Sequence, residues 1–330
     1  MKLKKRHIFT ITACAIAAIF FTCVLAVGMS AEPPGTVSEG PRAYSNQKVL
    51  DMGEYTVDSL DISWLTGPVT VGASPDGNIH ITERSAKELG ESDMMKVSVD
   101  SGELKIRWDD QWFRKYFNFN FGWFGQKEKE LEVLLPPAVA GELQEAVVGN
   151  VSGDLSVTGC TAETLKVSTV SGKLTVNACS AQEAGAESVS GGIALSGVAA
   201  SGKLTVNTVS GGMELTGISA GELGLDTVSG GCRISGEVSE LTVNTVSGDV
   251  SASLSAVPGK ADMDSVSGGL RLELPAGSGF TAEHDSVSGS FECAFPTEDL
   301  GGGRVRCGGG GADIRMNTTS GGMVIARREI

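Results

Sequence analysis

The sequence predicts an all-β protein: a single-stranded β-solenoid of about nine 18–21-residue coils, preceded by an N-terminal β section and one N-terminal transmembrane helix. Three observations support this prediction. The 330 residues include 45 glycines but only 18 aromatic residues, a composition typical of many short strands joined by tight corners. A Val-Ser-Gly triplet recurs through the second half of the chain. An uncharged apolar run lies close to the N-terminus.

The N-terminal apolar run covers residues 8–29, which are 22 residues without a charged side chain. A helix that spans a bilayer needs about 20 such residues, whereas the apolar region of a cleaved signal usually has about 7 to 15. Four cationic residues at positions 1–7 place this basic tail in the cytoplasm. We therefore predict a retained anchor and a single-pass protein of the cell membrane, with its C-terminal domain extracytoplasmic. Cleavage within Ala26–Gly28, which would give a secreted protein, is the alternative.

A Pro-, Gly- and Ser-rich linker is predicted at residues 30–48, followed by an N-terminal β section at residues 49–137. Apolar and polar residues alternate there in several short runs, which is the period of a strand with one buried face. The segments KVSV and ELKIRW flank an Asp-Ser-Gly turn and predict a β-hairpin. Pro136 and Pro137 end the section, because proline cannot continue a strand ladder.

The repeat is predicted to occupy residues 138–330. Successive triplets are 19, 19, 20, 19, 18, 20 and 21 residues apart, and 32 residues separate the last from a Thr-Ser-Gly variant. Self-similarity at a fixed period of this length is the signature of a solenoid in which each repeat forms one coil. The triplets begin at Val151, Val170, Val189, Val209, Val228, Val246, Val266 and Val287, and the variant begins at Thr319.

The stretch LTVNTVSGGMEL, residues 204–215, indicates how one coil is built. Leu204 and Val206 share one face of a strand at period two, but the next apolar residue, Val209, follows three positions later. We interpret the break as a corner between two strands that face one core, with Val209 filling the interior. Glycine would permit the corner. The residue before each triplet is Asn150 in the first coil and Ser or Thr in the others, and the hydroxyls would hydrogen-bond to corner backbone or to their counterparts in other coils.

The repeated TVSGxL and SVSGGL coils after an N-terminal apolar segment resemble the bacterial β-strand-repeat family called "putative adhesin", a domain of unknown function. The resemblance covers roughly Val49 to Arg327, and it rests on the recurring Val-Ser-Gly rather than on a catalytic motif. It implies a β-solenoid of the cell envelope, and it implies no catalytic residues.

The part of the chain after the anchor is acidic. It contains all 40 acidic residues but only 22 of the 26 lysines and arginines, which gives a net charge of −18. A surface with this charge repels nucleic acid and bare anionic lipid. We therefore predict that nucleic acid is not a partner.

No constellation of residues in the sequence predicts catalysis, so we expect no enzyme, no cofactor and no metal site. The histidines, His7, His80 and His284, are far apart, and no histidine column accompanies the repeated serines. The run GGGGADI at residues 308–314 fits a calcium-binding repeat once, whereas such sites need tandem copies, so we predict a flexible loop there. A polysaccharide-active β-helix enzyme, with two carboxylates brought together from different coils, is the third hypothesis for function.

Five cysteines follow the anchor, an odd number without the spacing of a disulfide framework or a zinc site. Cys160 and Cys179 occupy the same place in consecutive repeats. Stacked strands lie about 4.8 Å apart, which is within the reach of a disulfide. We favour the interpretation that both are small buried side chains, and a disulfide is the alternative.

One segment departs from the repeat. Residues 108–124, WDDQWFRKYFNFNFGWF, contain nine of the 18 aromatic residues and are called the aromatic segment below. Under one hypothesis these rings cover an open end of the solenoid, where the core would otherwise meet water. Under the other they form an exposed patch for the membrane interface, a glycan or a partner protein. The candidate interaction residues are Trp108, Trp112, Phe113, Tyr116, Phe117, Phe119, Phe121, Trp123 and Phe124.

Together these observations predict an exported, membrane-anchored β-solenoid of the cell envelope that acts as a non-catalytic binding, adhesin-like or scaffold module. Its predicted partners are the membrane, through the N-terminal helix, and cell-wall polymer, a glycan or another envelope protein. The alternative is a regulatory or sensory envelope protein that acts on a membrane partner through its anchor or its aromatic segment.

Overall fold

The computed structural model describes residues 44–108 and 128–328. The predicted tail, the predicted anchor and most of the predicted linker lie outside the described residues, and so do residues 109–127. Within the described part of the chain, no helix is long and apolar enough to cross a membrane. The transmembrane helix therefore stays a prediction.

The described residues are mostly β-strand with a single short helix, which confirms the predicted all-β class. The chain divides into two compact units, residues 1–175 and residues 176–330. Strands from both sides of residue 137, where we placed a domain boundary, stack on one another within the first unit.

The described residues of the first unit form ten strands and one short helix. Pro137 occupies the first turn of the helix, where its missing N–H costs no hydrogen bond. The elements are β1 (Tyr44–Leu50), β2 (Ser59–Thr66), β3 (Val69–Ala73), β4 (Ile79–Ser85), β5 (Lys96–Asp100), β6 (Glu103–Arg107), β7 (Lys129–Leu135), α1 (Pro137–Ala140), β8 (Leu143–Ser152), β9 (Leu155–Thr158) and β10 (Thr161–Ser171), with β11 (Leu174–Asn177) at the division between the units.

The strands of the first unit form two parallel stacks. One stack contains β6, β2, β8 and β10 in this spatial order, and the other contains β7, β3 and β9. The predicted hairpin is confirmed, because β5 pairs antiparallel with β6 through a turn in which Ser101 and Gly102 have positive φ. Antiparallel pairing also joins β4 to β1 and to β7.

The second unit contains the greater part of the repeat. Its described strands are β12 (Ser180–Ser188), β13 (Ile193–Ser196), β14 (Ala199–Ser210), β15 (Met213–Ser229), β16 (Cys232–Ser247), β17 (Val250–Leu254), β18 (Lys260–Ser265), β19 (Leu270–Leu274), β20 (Phe280–Ser286), β21 (Phe291–Cys293), β22 (Thr297–Asp299), β23 (Arg304–Cys307), β24 (Ala312–Thr318) and β25 (Met323–Arg327).

Parallel pairing in the second unit follows the period of the sequence repeat. Leu204 of β14 lies beside Leu223 of β15, which lies beside Leu241 of β16. Equivalent residues of successive repeats therefore form straight columns, as they do in a solenoid. The predicted solenoid-like coil is confirmed, while the number of coils stays a prediction.

The spatial order of the coils departs from their order in the sequence near the C-terminus. The strand β24 pairs in parallel with β18 on one side and with β20 on the other. Likewise, β25 lies between β19 and β21. The last coil of the sequence is therefore inserted between the two coils that precede it. The first unit contains a similar exchange, because β2 lies between β6 and β8.

The predicted flexible loop at residues 308–314 is shorter in the structure, because β24 already begins at Ala312, and the 32-residue interval before the last triplet contains regular strands. The strands β22 and β23 form an antiparallel hairpin, and β23 also pairs antiparallel with β20. The remaining glycines at residues 308–311 join this hairpin to β24. Because β23 covers backbone groups at the outer edge of β20, it protects that edge from pairing with another chain.

The inserted coil predicts a specific pattern of cross-links. Asp264 and Asn317 occupy paired positions of β18 and β24, and Asn317 Nδ2 lies 2.7 Å from Asp264 Oδ1. The D264C/N317C variant should form a disulfide, since neighbouring strands lie about 4.8 Å apart. The D264C/D285C variant should not, since Asp285 lies beyond Asn317. Peptide mapping after mild oxidation distinguishes them, and a disulfide found only in the second variant would contradict the inserted coil.

The corner valine does not fill the interior, so our interpretation of residues 204–215 was wrong on this point. Period two continues from Val206 to Thr208, which is 2% exposed, whereas Val209 is only half-buried. The strand runs on to Ser210, so the inward position nearest the corner belongs to Thr208. The equivalent buried residues elsewhere are Asn150, Thr169, Ser188, Thr227, Thr245, Ser265 and Thr318.

The triplet glycine is confirmed as a corner residue, and its role is steric. At Gly230 and at Gly248 an added Cβ atom would lie 2.2 Å from the carbonyl oxygen of the equivalent glycine in the neighbouring coil. Gly321 faces Gly268, and Gly289 faces Gly321, which repeats the order of the inserted coil. Only a residue without Cβ permits the corners to stack this closely.

Four of the five described cysteines are buried, and Cys293 is half-buried. Cys160 in the first unit and Cys179 in the second are each buried, which confirms the interpretation as small buried side chains. The Cys179 thiol donates to the Asn177 carbonyl at 3.3 Å. Burial raises the pKa of the Cys232 thiol to about 12, so this group stays protonated at neutral pH.

Candidate functional site

The residues that flank the aromatic segment meet inside the first unit. The chain leaves β6 at Trp108 and rejoins the described fold through Lys129, the first residue of β7. Trp64 of β2 and Glu83 of β4 lie against these two residues. We call Trp64, Glu83, Trp108 and Lys129 the ion-pair cluster.

Strand alternation places both charges of the cluster in the interior. In β7 every second residue is buried, beginning with Lys129. In β4, Glu83 takes an inward position after Ile79 and Ile81. The two strands pair antiparallel, and Lys129 Nζ lies 2.6 Å from Glu83 Oε1. The side chains are 1% and 0% exposed, so the ion pair is fully removed from water.

The Lys129 ammonium donates to acceptors from several elements. Besides Glu83, Nζ donates to the Trp108 carbonyl at 2.5 Å and to the Asp93 carbonyl at 2.8 Å. An ammonium group has three N–H donors, so each of them can be satisfied at once. The bond to Trp108 joins the residue before the aromatic segment to the residue at which β7 begins.

The Glu83 carboxylate is satisfied as well. The Met95 N–H lies 3.1 Å from both carboxylate oxygens, and Asn46 Nδ2 donates to Oε2 at 3.3 Å. A buried ion pair offsets its desolvation only when the remaining donors and acceptors are also paired. The cluster meets this condition on both sides.

Two tryptophans enclose the ammonium. Lys129 Nζ lies 4.1 Å from the ring centroid of Trp108 and 4.9 Å from that of Trp64. The rings are 4.9 Å apart at an interplanar angle of 71°, and Trp64 Nε1 donates to the Lys129 carbonyl at 2.8 Å. Contact of a desolvated cation with ring faces is attractive, so the tryptophans reinforce the ion pair.

The ion-pair cluster can position chain segments but cannot act as an acid, a base or a nucleophile on a solute. A catalytic group must come within hydrogen-bond reach of its substrate, and neither charge is accessible. Its effect is to hold Trp108 and Lys129 side by side, which brings together the two ends of the intervening chain. Across residues 44–108 and 128–328, no group of three or more His, Cys, Asp or Glu could hold a metal ion.

The structure describes one of the nine predicted interaction residues. Trp108 is 6% exposed and packs on Trp64, so it belongs to the core of the first unit and not to an exposed patch. The interaction patch stays a prediction for the remaining eight, which lie outside the described residues: Trp112, Phe113, Tyr116, Phe117, Phe119, Phe121, Trp123 and Phe124.

Sequence reasoning missed three members of the cluster, Trp64, Glu83 and Lys129. A signal was present, because period-two alternation in IHITERS and KELEVLL puts one acid and one base at inward positions. A buried charge in a strand costs a large desolvation free energy unless it is paired, so an inward acid predicts an inward base in a neighbouring strand.

The described histidines have structural neighbours. His80 Nε2 lies 2.9 Å from Asp76 Oδ1, and the pKa of Asp76 is lowered by hydrogen bonds from the Asn78 backbone and then from His80. The His284 ring stacks on Phe291 with centroids 4.0 Å apart. Each ring therefore takes part in local packing or in a turn.

Several acidic residues join neighbouring coils. The Asp154 carboxylate accepts a hydrogen bond from the Lys173 backbone N–H, and the Asp249 carboxylate accepts one from the Gly269 backbone N–H, each at 2.8 Å. Each bond joins one coil to the next along the sequence. A shallow depression of about 390 Å³ on the first unit is lined by four carboxylates. Three of the four form ion pairs with a neighbouring Lys or Arg, which leaves little charge for a cation.

The chain has low similarity to several solved structures. A "putative cell adhesion protein" from Clostridium sporogenes ATCC 15579 is 11% identical, with 86% of this chain and 99% of that chain covered and a TM-score of 0.24. A "putative adhesin" from Bacteroides fragilis NCTC 9343 is 11% identical, with 87% and 98% covered and a TM-score of 0.46. A "putative lipid binding protein" from Parabacteroides distasonis ATCC 8503 is 13% identical, with 87% and 98% covered and a TM-score of 0.40.

Similarities this low carry no argument about function, and no curated protein matches the chain. The family model described as Toastrack DUF4097 matches residues 57–325, a span that includes β2 through most of β25. This match confirms the resemblance carried by the Val-Ser-Gly repeat. The chain belongs to the Toastrack DUF4097 family.

Proposed function

We propose that the chain is a non-catalytic binding module of the bacterial cell envelope, anchored in the membrane by residues 8–29 and built on a scaffold of about nine coils. In this proposal the aromatic segment binds cell-wall polymer or another envelope glycan. The observation that carries it is the ion-pair cluster, which fixes the ends of the chain on either side of residues 109–127.

Fixed ends matter for binding because ordering a segment opposes association. A binding segment with restrained ends loses less conformational entropy when it meets its ligand than a segment with free ends. Aromatic rings supply a large contact area at low entropic cost and stack on flat apolar faces, including those of sugar rings. Eight aromatic residues lie between Trp108 and Lys129, which is a high density for this chain.

The rest of the described surface offers less for recognition. The large hydrophobic side chains that are exposed in the described residues are Val49 and Tyr55 in the first unit and Val287 in the second. The acidic charge of the chain disfavours nucleic acid and anionic lipid. A neutral or cationic polymer is therefore the ligand class that best fits both the aromatic segment and the charge.

Co-sedimentation of the full chain in nanodiscs with isolated cell wall tests this proposal. The W112S/F119S/W123S variant should bind the wall at least tenfold more weakly, which corresponds to about 1.4 kcal/mol. The matched control is V49S/Y55S/V287S, which removes three large apolar side chains elsewhere and should bind like the unchanged protein. Equal binding by both variants, with unchanged thermal unfolding, would refute a role for the aromatic segment.

Parallel assays with liposomes and with a lysate of envelope proteins separate the remaining alternatives. Loss of liposome binding alone in the aromatic variant would favour a membrane-interface patch. Release of soluble sugars from the wall would favour the polysaccharide-active hypothesis over a binding module.

A further inference from the structure

Five buried hydroxyl groups form a continuous column in the second unit. Thr208 pairs with Thr227 in adjacent strands, and Thr227 pairs with Thr245. Ser265 and then Thr318 continue the column through the inserted coil. All five residues are at most 6% exposed. We call these five residues the hydroxyl column.

The hydroxyl column lacks the hydrogen bonds that we predicted for the residues before the corner valines. None of its five hydroxyl oxygens has a hydrogen-bond partner among the described residues. Two equivalent serines behave differently, because Ser188 Oγ accepts the Gly191 N–H at 2.8 Å and Ser286 Oγ accepts the Gly289 N–H. The five are therefore an exception within the fold that needs a physical explanation.

Buried polar groups are nearly always paired, either with protein or with bound water. Five unpaired hydroxyls in one column would remove a large share of the stability of an ordinary domain. Valine has the shape of threonine without this penalty, so an apolar column was chemically available. A ligand that pairs with the hydroxyls accounts for their presence.

We propose that the hydroxyl column binds a file of water molecules, with one water in each gap between neighbouring hydroxyls. Strands of adjacent coils are about 4.8 Å apart, which is too far for a direct bond between hydroxyls and suits one bridging water. If a water oxygen lies about 2.8 Å from each hydroxyl oxygen, the angle at the water between the two hydroxyls is about 120°, close to the preferred geometry of water. Each hydroxyl can donate to one neighbouring water and accept from the other.

This water file would give the corner a continuous hydrogen-bonded chain parallel to the column of glycines. Chains of this kind strengthen one another when every member both donates and accepts. The file would thus favour the aligned register of the coils, because a strand shifted by one residue would turn its hydroxyl to the other face and out of the column.

Substitution of the central residue tests the water file. Thr227→Val keeps the shape but removes the hydroxyl, so two waters lose a partner and the thermal midpoint of the full chain should fall by about 3 °C. The thermal midpoint of the Thr227→Ser variant, which keeps the hydroxyl, should fall by less. A midpoint for Thr227→Val that is unchanged or higher would show a dry column and overturn the proposal.

Magnetic relaxation dispersion of labelled water provides a second measurement, because it counts long-lived internal waters directly. The unchanged protein should show several such waters, and Thr227→Val should show fewer. An equal count in the two proteins would contradict the file even if the midpoint fell.

Discussion

Gly248→Ala is expected to destabilise the second unit by about 3 kcal/mol or more, the largest effect we predict for a change of one methyl group. The added Cβ atom would lie 2.2 Å from the Gly230 carbonyl oxygen and 2.9 Å from its carbonyl carbon. Both are backbone atoms within a stack of coils, so neither can move without shifting the neighbouring coil. Gly248 does not have the left-handed φ of many corner glycines, so the effect is purely steric.

The matched control for this change is Gly224→Ala. Gly224 lies in β15, and a Cβ atom there would meet nothing within 4 Å. This change should leave stability unchanged or raise it by about 0.4–1 kcal/mol, because alanine lowers the conformational entropy of the unfolded chain. Urea unfolding of both variants measures the difference. Equal stabilities would mean that the corner glycines are not required for stacking.

Lys129→Met is expected to destabilise the first unit by about 3–5 kcal/mol, because it leaves the Glu83 carboxylate buried without a countercharge. It also removes the hydrogen bonds to the Trp108 and Asp93 carbonyls. Chemical unfolding followed by tryptophan fluorescence measures the effect, since Trp64 and Trp108 contact the substituted side chain.

The double variant E83Q/K129M separates the ion pair from the packing of the lysine. Glutamine keeps an acceptor for the Met95 N–H but carries no charge. The double variant should therefore recover more than half of the lost stability, and the coupling between the two sites should be on the order of 1–3 kcal/mol. Simple additivity of the two single changes would show that the buried charge is not the cause.

Much of the fold could be predicted because its information is local. Period-two alternation identifies strands such as β2 and β7, and the Asp-Ser-Gly turn identifies the hairpin of β5 and β6. The constant interval between triplets predicts which residues stack, because a coil of fixed length returns each residue to its own column. These signals depend only on near neighbours in the chain.

The inserted coil could not be predicted, because these signals depend only on near neighbours in the chain. Every coil presents nearly the same Val-Ser-Gly corner and the same inward columns, so β24 matches β18 as well as β20 does. Local pattern sets the register within a coil but does not determine which coil is its neighbour. The long interval before Thr319 was the one sign of a departure, and it is occupied by the hairpin of β22 and β23.

The position of the corner was misjudged by one residue. We gave the interior to Val209 because valine is more apolar than threonine, although period two from Leu204 pointed to Thr208. The alternation of the β14 backbone determines which side chains point inward, so Thr208 is buried although its hydroxyl is polar. The ion-pair cluster escaped prediction in a similar way, because its inward charges meet only through the pairing of β4 with β7.

The most direct test of our account compares two variants in saturation binding of the full chain to isolated cell wall. W112S/F119S/W123S changes the segment between the fixed ends, whereas E214S/R233S/R271S changes three exposed side chains of the repeat. We predict at least a tenfold rise in the dissociation constant for the first variant and less than a twofold change for the second. The reverse result, with binding lost only when the repeat surface is changed, would place recognition on the coils and contradict the account.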